Sequence, residues 1–328
     1  YGSNLNLVRP GALFAAPNPA LATANNYRPF LGYGDLNQAT NNLYSNYNAL
    51  QVSWAHQASR ATVQLNYTLG KALGIINPST SPLLGSLQAT LDPFNLQNNY
   101  GAQPTDRRHI FNAAYSVELG NPVRNNKWLG GFANGWQISG VTQIQSGANL
   151  SAAGGTAGNF SMQLNSAILP GTQNIVNGGA AANGIAISNQ SVLGTNAIQL
   201  NPILTCDPTA NLAPHQFING NCFGVPTQRG QNGPTVLPAI YGPAYFNSDL
   251  GLFKNFQIRE SMKLQFRFQA YNFLNHPLWS FPNNNNLTLQ FKQASPGSAT
   301  ITQTNSTFGY TQYKQGQRII QLAVKFYF

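Results

Sequence analysis

The sequence predicts an all-β protein, an antiparallel transmembrane β-barrel with about eight strands in this chain. Four observations predict it. Apolar and polar residues alternate with period two in separate segments along the chain, the pattern of strands with one apolar and one wet face. Charged residues make up only 7% against 42% hydrophobic, far below the ~25% charge of soluble domains. No apolar run reaches the roughly 18 residues of a membrane helix. The connections, finally, alternate short and long, as in an up-and-down barrel with turns on one side and loops on the other.

Residues 1 to about 32, with Pro10, Pro17, Pro19 and Pro29, read as loop. The first strand is expected over 46–57, with Leu50, Val52 and Trp54 on one face. A short turn near 59 leads to the second, 61–72, where Val63, Leu65, Tyr67 and Leu69 oppose Thr62, Gln64, Asn66 and Thr68. After the irregular segment 74–104 comes 106–119, with Phe111, Ala113, Tyr115 and Val117 on one side and Asn112 and Ser116 on the other. A turn near 125 precedes 134–148, whose polar side carries Gln137, Ser139, Gln143 and Gln145 and is interrupted by Val141.

Residues 151–240 form a long, weakly charged connection rich in Gly, Ala and Asn. Strands at 245–257 and 262–275 follow, turning at Arg259-Glu260-Ser261. In the latter, Leu264, Phe266, Phe268 and Ala270 are expected to face lipid, with Lys263, Gln265, Arg267 and Gln269 facing water in a lumen. The loop 276–312 leads to the last strand, 316–328, with Ile320, Leu322, Val324, Phe326 and Phe328 on its apolar face and Gln321 on the polar one. Short turns on one side and loops at 74–104, 151–240 and 276–312 on the other place the C-terminus on the periplasmic side of an outer membrane and the long loops outside. Gln64, Asn66, Asn112, Gln143, Gln265, Arg267 and Gln321 are the expected lumen-facing set. Trp54, Trp128, Trp136, Trp279 and Tyr327 sit near strand ends, where interfacial aromatic belts form.

The formal net charge is +10, from 17 basic and seven acidic residues. The bases are scattered and no binding motif accompanies them, which argues against nucleic acid as a partner; attraction to anionic lipid headgroups is the better use. No leader is recognised at Tyr1, so a mature or truncated chain is expected.

Cys206 and Cys222 are the two cysteines. In an extracytoplasmic chain such a pair reads as a disulfide, which would remove about 3 kcal/mol of unfolded-loop entropy. The rival reading is a metal site with His215, which the absence of close Cys spacing disfavours. Asp106-Arg107-Arg108-His109 reads as self-paired charges at a strand mouth. No paired-carboxylate, phosphate-loop or Rossmann motif appears, so no catalytic residue, cofactor or metal ligand is assigned and the chain is expected not to be an enzyme.

Several motifs carry a family resemblance: Ser45-Asn46-Tyr47-Asn48-Ala49-Leu50-Gln51, Asp106-Arg107-Arg108-His109, Gly135-Trp136-Gln137-Ile138-Ser139-Gly140, the run from Phe246 to Phe256, the run from Phe266 to Pro277, and the terminal Phe. In this order they resemble the C-terminal half of Oar-like TonB-dependent outer-membrane receptors of Gram-negative-type bacteria. The resemblance implies a barrel of about 22 strands, plugged by an N-terminal domain, energised by a TonB-type partner and moving a bulky substrate in or out. It implies that Phe326, Tyr327 and Phe328 form the signal read by the barrel-assembly machinery. No plug, TonB box or carboxypeptidase-like domain is seen here, so the chain reads as the C-terminal part of the barrel, with plug and remaining strands supplied elsewhere. The rival is a non-transport role: an adhesin or display protein presenting 151–240, or a structural β-assembly built on Asn/Gln-rich strands.

Overall fold

The computed structural model describes residues 2–328 except 76–89, 104, 151–159, 173–175, 178–179, 238–239, 260–261 and 282–283. The predicted turn at Glu260-Ser261, and parts of the 74–104, 151–240 and 276–312 loops, lie outside the described residues.

Seven long strands form one antiparallel sheet: β1 (Ser45–Gln57), β2 (Ala61–Ile75), β3 (His109–Gly120), β4 (Trp136–Gln145), β5 (Tyr245–Gln257), β6 (Lys263–Tyr271) and β7 (Ile319–Tyr327). Each pairs with its neighbour in sequence, and a short eighth segment, Tyr100–Ala102, pairs with the end of β2. This meander is what hydrogen-bonded hairpins produce when each strand carries its own two-faced pattern. The strand ends differ by a few residues from the alternating spans. β2 runs on to Ile75, where it pairs with Tyr100–Ala102. β6 stops at Tyr271 because Asn272 takes φ 44°, a left-handed conformation that ends extended pairing. β7 begins only after Gly316, φ 78°.

The register carries one apolar face across the whole sheet. Val52 lies beside Tyr67, Phe111, Ile144 and Phe246 in successive strands, and Val117 beside Ile138, Leu252, Phe268 and Leu322. Gly140 sits in this face beneath Tyr115: a Cβ there would lie 2.6 Å from the tyrosine hydroxyl and from the Asp249 carbonyl. Two polar interruptions of the apolar face are satisfied locally. Thr142 and Ser248 hydrogen-bond each other at 2.9 Å, and Tyr67 Oη lies 2.8 Å from His109 Nδ1.

Both outer strands lack a ladder partner on their far side among the described residues. All 13 residues of β1 are exposed, and β7 is exposed nearly throughout. The sheet therefore has two open edges among the described residues.

The long connections are not the irregular loops that their composition suggests. They fold together into a cap at one end of the sheet, with its own hydrophobic core of Leu150, Phe160, Leu169, Ile185, Val192, Ile218, Ile240, Leu289, Phe291 and Phe308 among others. Phe160 meets Phe223 and Phe308 edge-on, with ring centroids 5.9 and 5.3 Å away. Thr288–Gln293 pairs with Ser161–Gln163 and with Ile301–Gln303, joining the last two long connections.

The N-terminal segment also differs from the expected plain loop. Gly2–Asn4 pairs with Asn37–Ala39. The buried Asn6 donates to the Phe30, Tyr33 and Gly34 carbonyls and accepts from Phe30 N, closing the intervening loop. This segment docks on the short helix Asn189–Leu193 of the cap: Gly11 N donates to Leu193 O and Leu13 N to Gly194 O, both at 2.9 Å. Gly194 has φ 66°, and a Cβ on it would lie 2.5 Å from Gly11 Cα, so glycine meets both the helix end and the close approach.

Candidate functional site

The face opposite the apolar one is the candidate site. Gln64, Asn66, Asn112, Gln143, Gln265, Arg267 and Gln321 all fall on it, placed by the cross-strand register. They join continuous polar rows. One runs Ser53, Asn66, Asn112, Gln143, Asn247 over five strands. Another runs Gln57, Thr62, Ser116, Ser139, Gly251, Gln269, Gln321 over all seven. Neighbouring side chains bond along and across these rows. Ser53 Oγ donates to Asn66 Oδ1 at 2.9 Å, Gln137 Nε2 to Ser116 Oγ at 2.9 Å and Gln265 Nε2 to Asn255 Oδ1 at 2.8 Å.

Several charges of this face are held by their neighbours. Arg267 donates from Nε to Gln265 Oε1 at 2.7 Å and from Nη2 to Tyr327 Oη at 3.1 Å, while its guanidinium carbon stands 5.7 Å from the Phe253 ring. Tyr327 therefore belongs to the polar face. It does not join the interfacial aromatic belt expected from its place near the terminus; Lys263 and Lys325 each lie 4.6 Å from its ring. Phe326 and Phe328 stack at 6.1 Å, and Phe328 is 96% exposed. Trp279 lies away from the belt as well. It sits in the cap, 4.0 Å from His215 by ring centroids and 5.0 Å beneath Lys314.

A hollow of about 460 Å³ opens on the polar face across β2 to β6, lined by Gln64, Ser116, Ser139, Asp249 and Gln269 together with Val141 and Phe253. Val141, the residue that breaks the polar alternation of β4, is thus part of its apolar floor. Neutral amides and hydroxyls with an occasional apolar side chain can pass or hold a polar solute by hydrogen bonding. Among the described residues no cluster of His, Cys, Asp or Glu could hold a metal ion.

Above the sheet, Asp106 joins the pieces of the cap to the wall. Its Oδ1 accepts from Ala72 N at 2.7 Å, at the end of β2, and its Oδ2 accepts from Tyr241 Oη at 2.7 Å, just before β5. Burial, then the bond to Asp106 and its negative charge, push the Tyr241 hydroxyl up to about 12. Arg107 donates to the Asp106 carbonyl at 3.0 Å. The motif read as self-paired rim charge is thus a tether between two loops and a strand, a role visible only once the chain is folded.

Cys206 and Cys222 form a disulfide, Cα–Cα 4.8 Å. It closes the ends of a loop of the cap whose flanking strands, Ile203–Leu204 and Phe223–Gly224, already pair. His215 lies under Trp279 and has no part in a sulfur site. Two hollows of about 570 and 550 Å³ open on the cap; the second is lined by Asp92, Asn98, Tyr100, Asn232 and Thr235.

A sheet that is apolar on one face and amide-rich on the other, with turns at one end and a folded cap at the other, is the wall of a membrane β-barrel. The outer membrane beta barrel domain family matches residues 1–321, and the chain belongs to that family. It is an outer-membrane protein. Neither the search of curated proteins nor that of solved structures finds a match.

Proposed function

We propose that this chain is the C-terminal wall of a TonB-dependent outer-membrane receptor, and that the whole barrel moves a bulky substrate along the polar face. The observation that carries the reading is the pair of open edges. In hydrocarbon an unpaired strand edge leaves backbone N–H and C=O groups without partners, so only closed sheets persist there. β1 and β7 must then pair with further strands, and the barrel is wider than seven strands. A wide barrel has room for a plug domain and a large cargo. On this reading the short turns and Phe326-Tyr327-Phe328 face the periplasm, where the barrel-assembly machinery reads the terminus. The cap is extracellular and makes the first contact with substrate.

A second reading rests on a different feature. The cap has its own core and a disulfide, as a display or adhesive module would; on that account the sheet serves as its anchor.

The deciding experiment is the intact mass of the native polypeptide from the outer-membrane fraction, followed by cross-linking to the TonB-type partner in cells. A mass several-fold above 35.4 kDa with a TonB-type adduct supports the receptor. A mass near 35.4 kDa, or a larger chain that yields no adduct, turns the assignment towards display.

A further inference from the structure

The connection between β3 and β4 is longer and more structured than a barrel turn requires. It contains the seven-residue helix α1, Lys127–Ala133. Asn126 starts the helix by accepting from Trp128 N and Leu129 N at 3.0 and 3.1 Å. Trp128, Leu129 and Phe132 cluster on one side at helical spacing and are 92%, 60% and 76% exposed. Three large apolar side chains on so short a helix stand largely uncovered among the described residues.

Their surroundings say what covers them. The end of α1 is hung from the apolar face of the sheet. Trp136 Nε1 donates to Phe132 O at 2.7 Å, and the Lys254 ammonium donates to Asn134 O. Trp136 and Lys254 are cross-strand partners on the apolar face. The Asn134 side chain fixes the other limb of the turn, donating to Val123 O at 2.7 Å and accepting from Val123 N at 2.9 Å. The exposed triad therefore continues the apolar face at its turn end.

Beside it opens a polar hollow of about 750 Å³, lined by Arg60, Arg124 and Asn134 among others. Arg60 reaches it across the end of β3: a Cβ at Gly120 would lie 2.7 Å from its Nη1. The ion pair found among the described residues is Arg28–Asp35, so among the described residues neither arginine of this hollow pairs with a carboxylate.

We propose that this turn is a phospholipid-binding anchor: α1 lays Trp128, Leu129 and Phe132 into the headgroup–acyl boundary, and Arg60 and Arg124 take the phosphate of an anionic headgroup. An amphipathic helix with aromatic residues on one side and cations beside it is the form that binds a lipid interface, and arginines near an anionic surface add to it. The anchor rests on the reading of the apolar face as the lipid face and of the turn end as periplasmic; phospholipid of the inner leaflet is then its occupant.

The test uses the native polypeptide reconstituted in phosphatidylethanolamine vesicles with and without phosphatidylglycerol. An environment-sensitive fluorophore is placed on Gly131→Cys, where a new Cβ meets nothing within 4 Å, and separately on Val324→Cys of the apolar face, with the native disulfide kept oxidised. The anchor predicts that the probe at 131 is quenched by nitroxides near the lipid headgroup and shielded from aqueous iodide. It also predicts that phosphatidylglycerol is enriched near the probe, and that Arg60→Gln and Arg124→Gln each lower this enrichment by about fivefold while the 324 signal stays unchanged. A probe at 131 open to iodide, or shielded from iodide yet unquenched by lipid, while 324 is in lipid, overturns the anchor alone. Enrichment that survives both arginine substitutions overturns the headgroup site. A probe at 324 that reads water overturns the barrel reading and the anchor with it.

Discussion

Tyr241 and Asp106 show how a single hydrogen bond can join parts of the chain that lie far apart. Tyr241→Phe leaves a buried carboxylate with one acceptor site unfilled, at a cost of about 1–3 kcal/mol. The expected outcome is faster protease cleavage of the cap with the sheet unaffected. The same bond predicts an alkaline effect. Burial and the Asp106 carboxylate push the folded tyrosine up to about 12 from its ordinary 10.0, so its neutral form is the one the fold favours. Its contribution is complete below pH 10 and is lost as pH climbs towards 12; the difference absorbance titration of the protein against Tyr241→Phe checks this. At Gly194, alanine is forced to a positive φ against the Gly11 backbone. Gly194→Ala should release the N-terminal segment from the cap, seen as faster hydrogen exchange at Gly11 and Leu13.

At the scale of the element, the faces of β7 can be separated by position. Leu322→Arg puts a cation on the apolar face and is expected to cost about 2–4 kcal/mol in lipid, whereas Gln321→Arg one residue away should be nearly neutral. Urea unfolding of the two variants in vesicles measures the contrast, and equal losses would refute the assignment of faces. In the cap, Cys206→Ser with Cys222→Ser should lower the cap's own stability by about 3 kcal/mol and leave the sheet transition in place.

These strands were the legible part of the sequence, because period-two alternation is local: Val63 to Leu69 reveals its face without knowledge of any partner. Helix α1 was not legible, since Gly130 and Gly131 hide a seven-residue helix in what reads as a turn. Nor was Tyr327, whose parity with Gln321 and Lys325 places it on the polar face although its chemistry and position suggest a belt.

At the scale of the whole molecule, the missing information was long-range. Thr195 Oγ1 donates to Val8 O across 187 residues, and nothing in either neighbourhood announces the other. The core of the cap draws on Phe160, Ile218 and Phe308, apolar residues scattered through Gly- and Asn-rich sequence with no period to detect. The lumen-facing set was readable as a set of polar positions, while the hollow on that face, which Gln64 alone of the set lines, depends on the register of five strands. For the barrel as a whole, detergent-solubilised protein is expected to migrate differently on gels before and after boiling; identical migration, with no requirement for detergent, would argue against membrane insertion.

The cap has a temporal consequence. Its core needs Phe160 from the connection after β4 and Phe291 and Phe308 from the connection after β6, and its outer side needs Leu13 from the segment before β1. With the cap outside, as proposed, a chain inserted strand by strand cannot close that core until its sixth strand and the following connection have crossed the membrane. Closure of the cap is then a completion signal for the wall that carries it. Contacts of such sequence separation also form slowly, so a protein arrested during insertion would keep a protease-sensitive cap long after its first hairpins were secure.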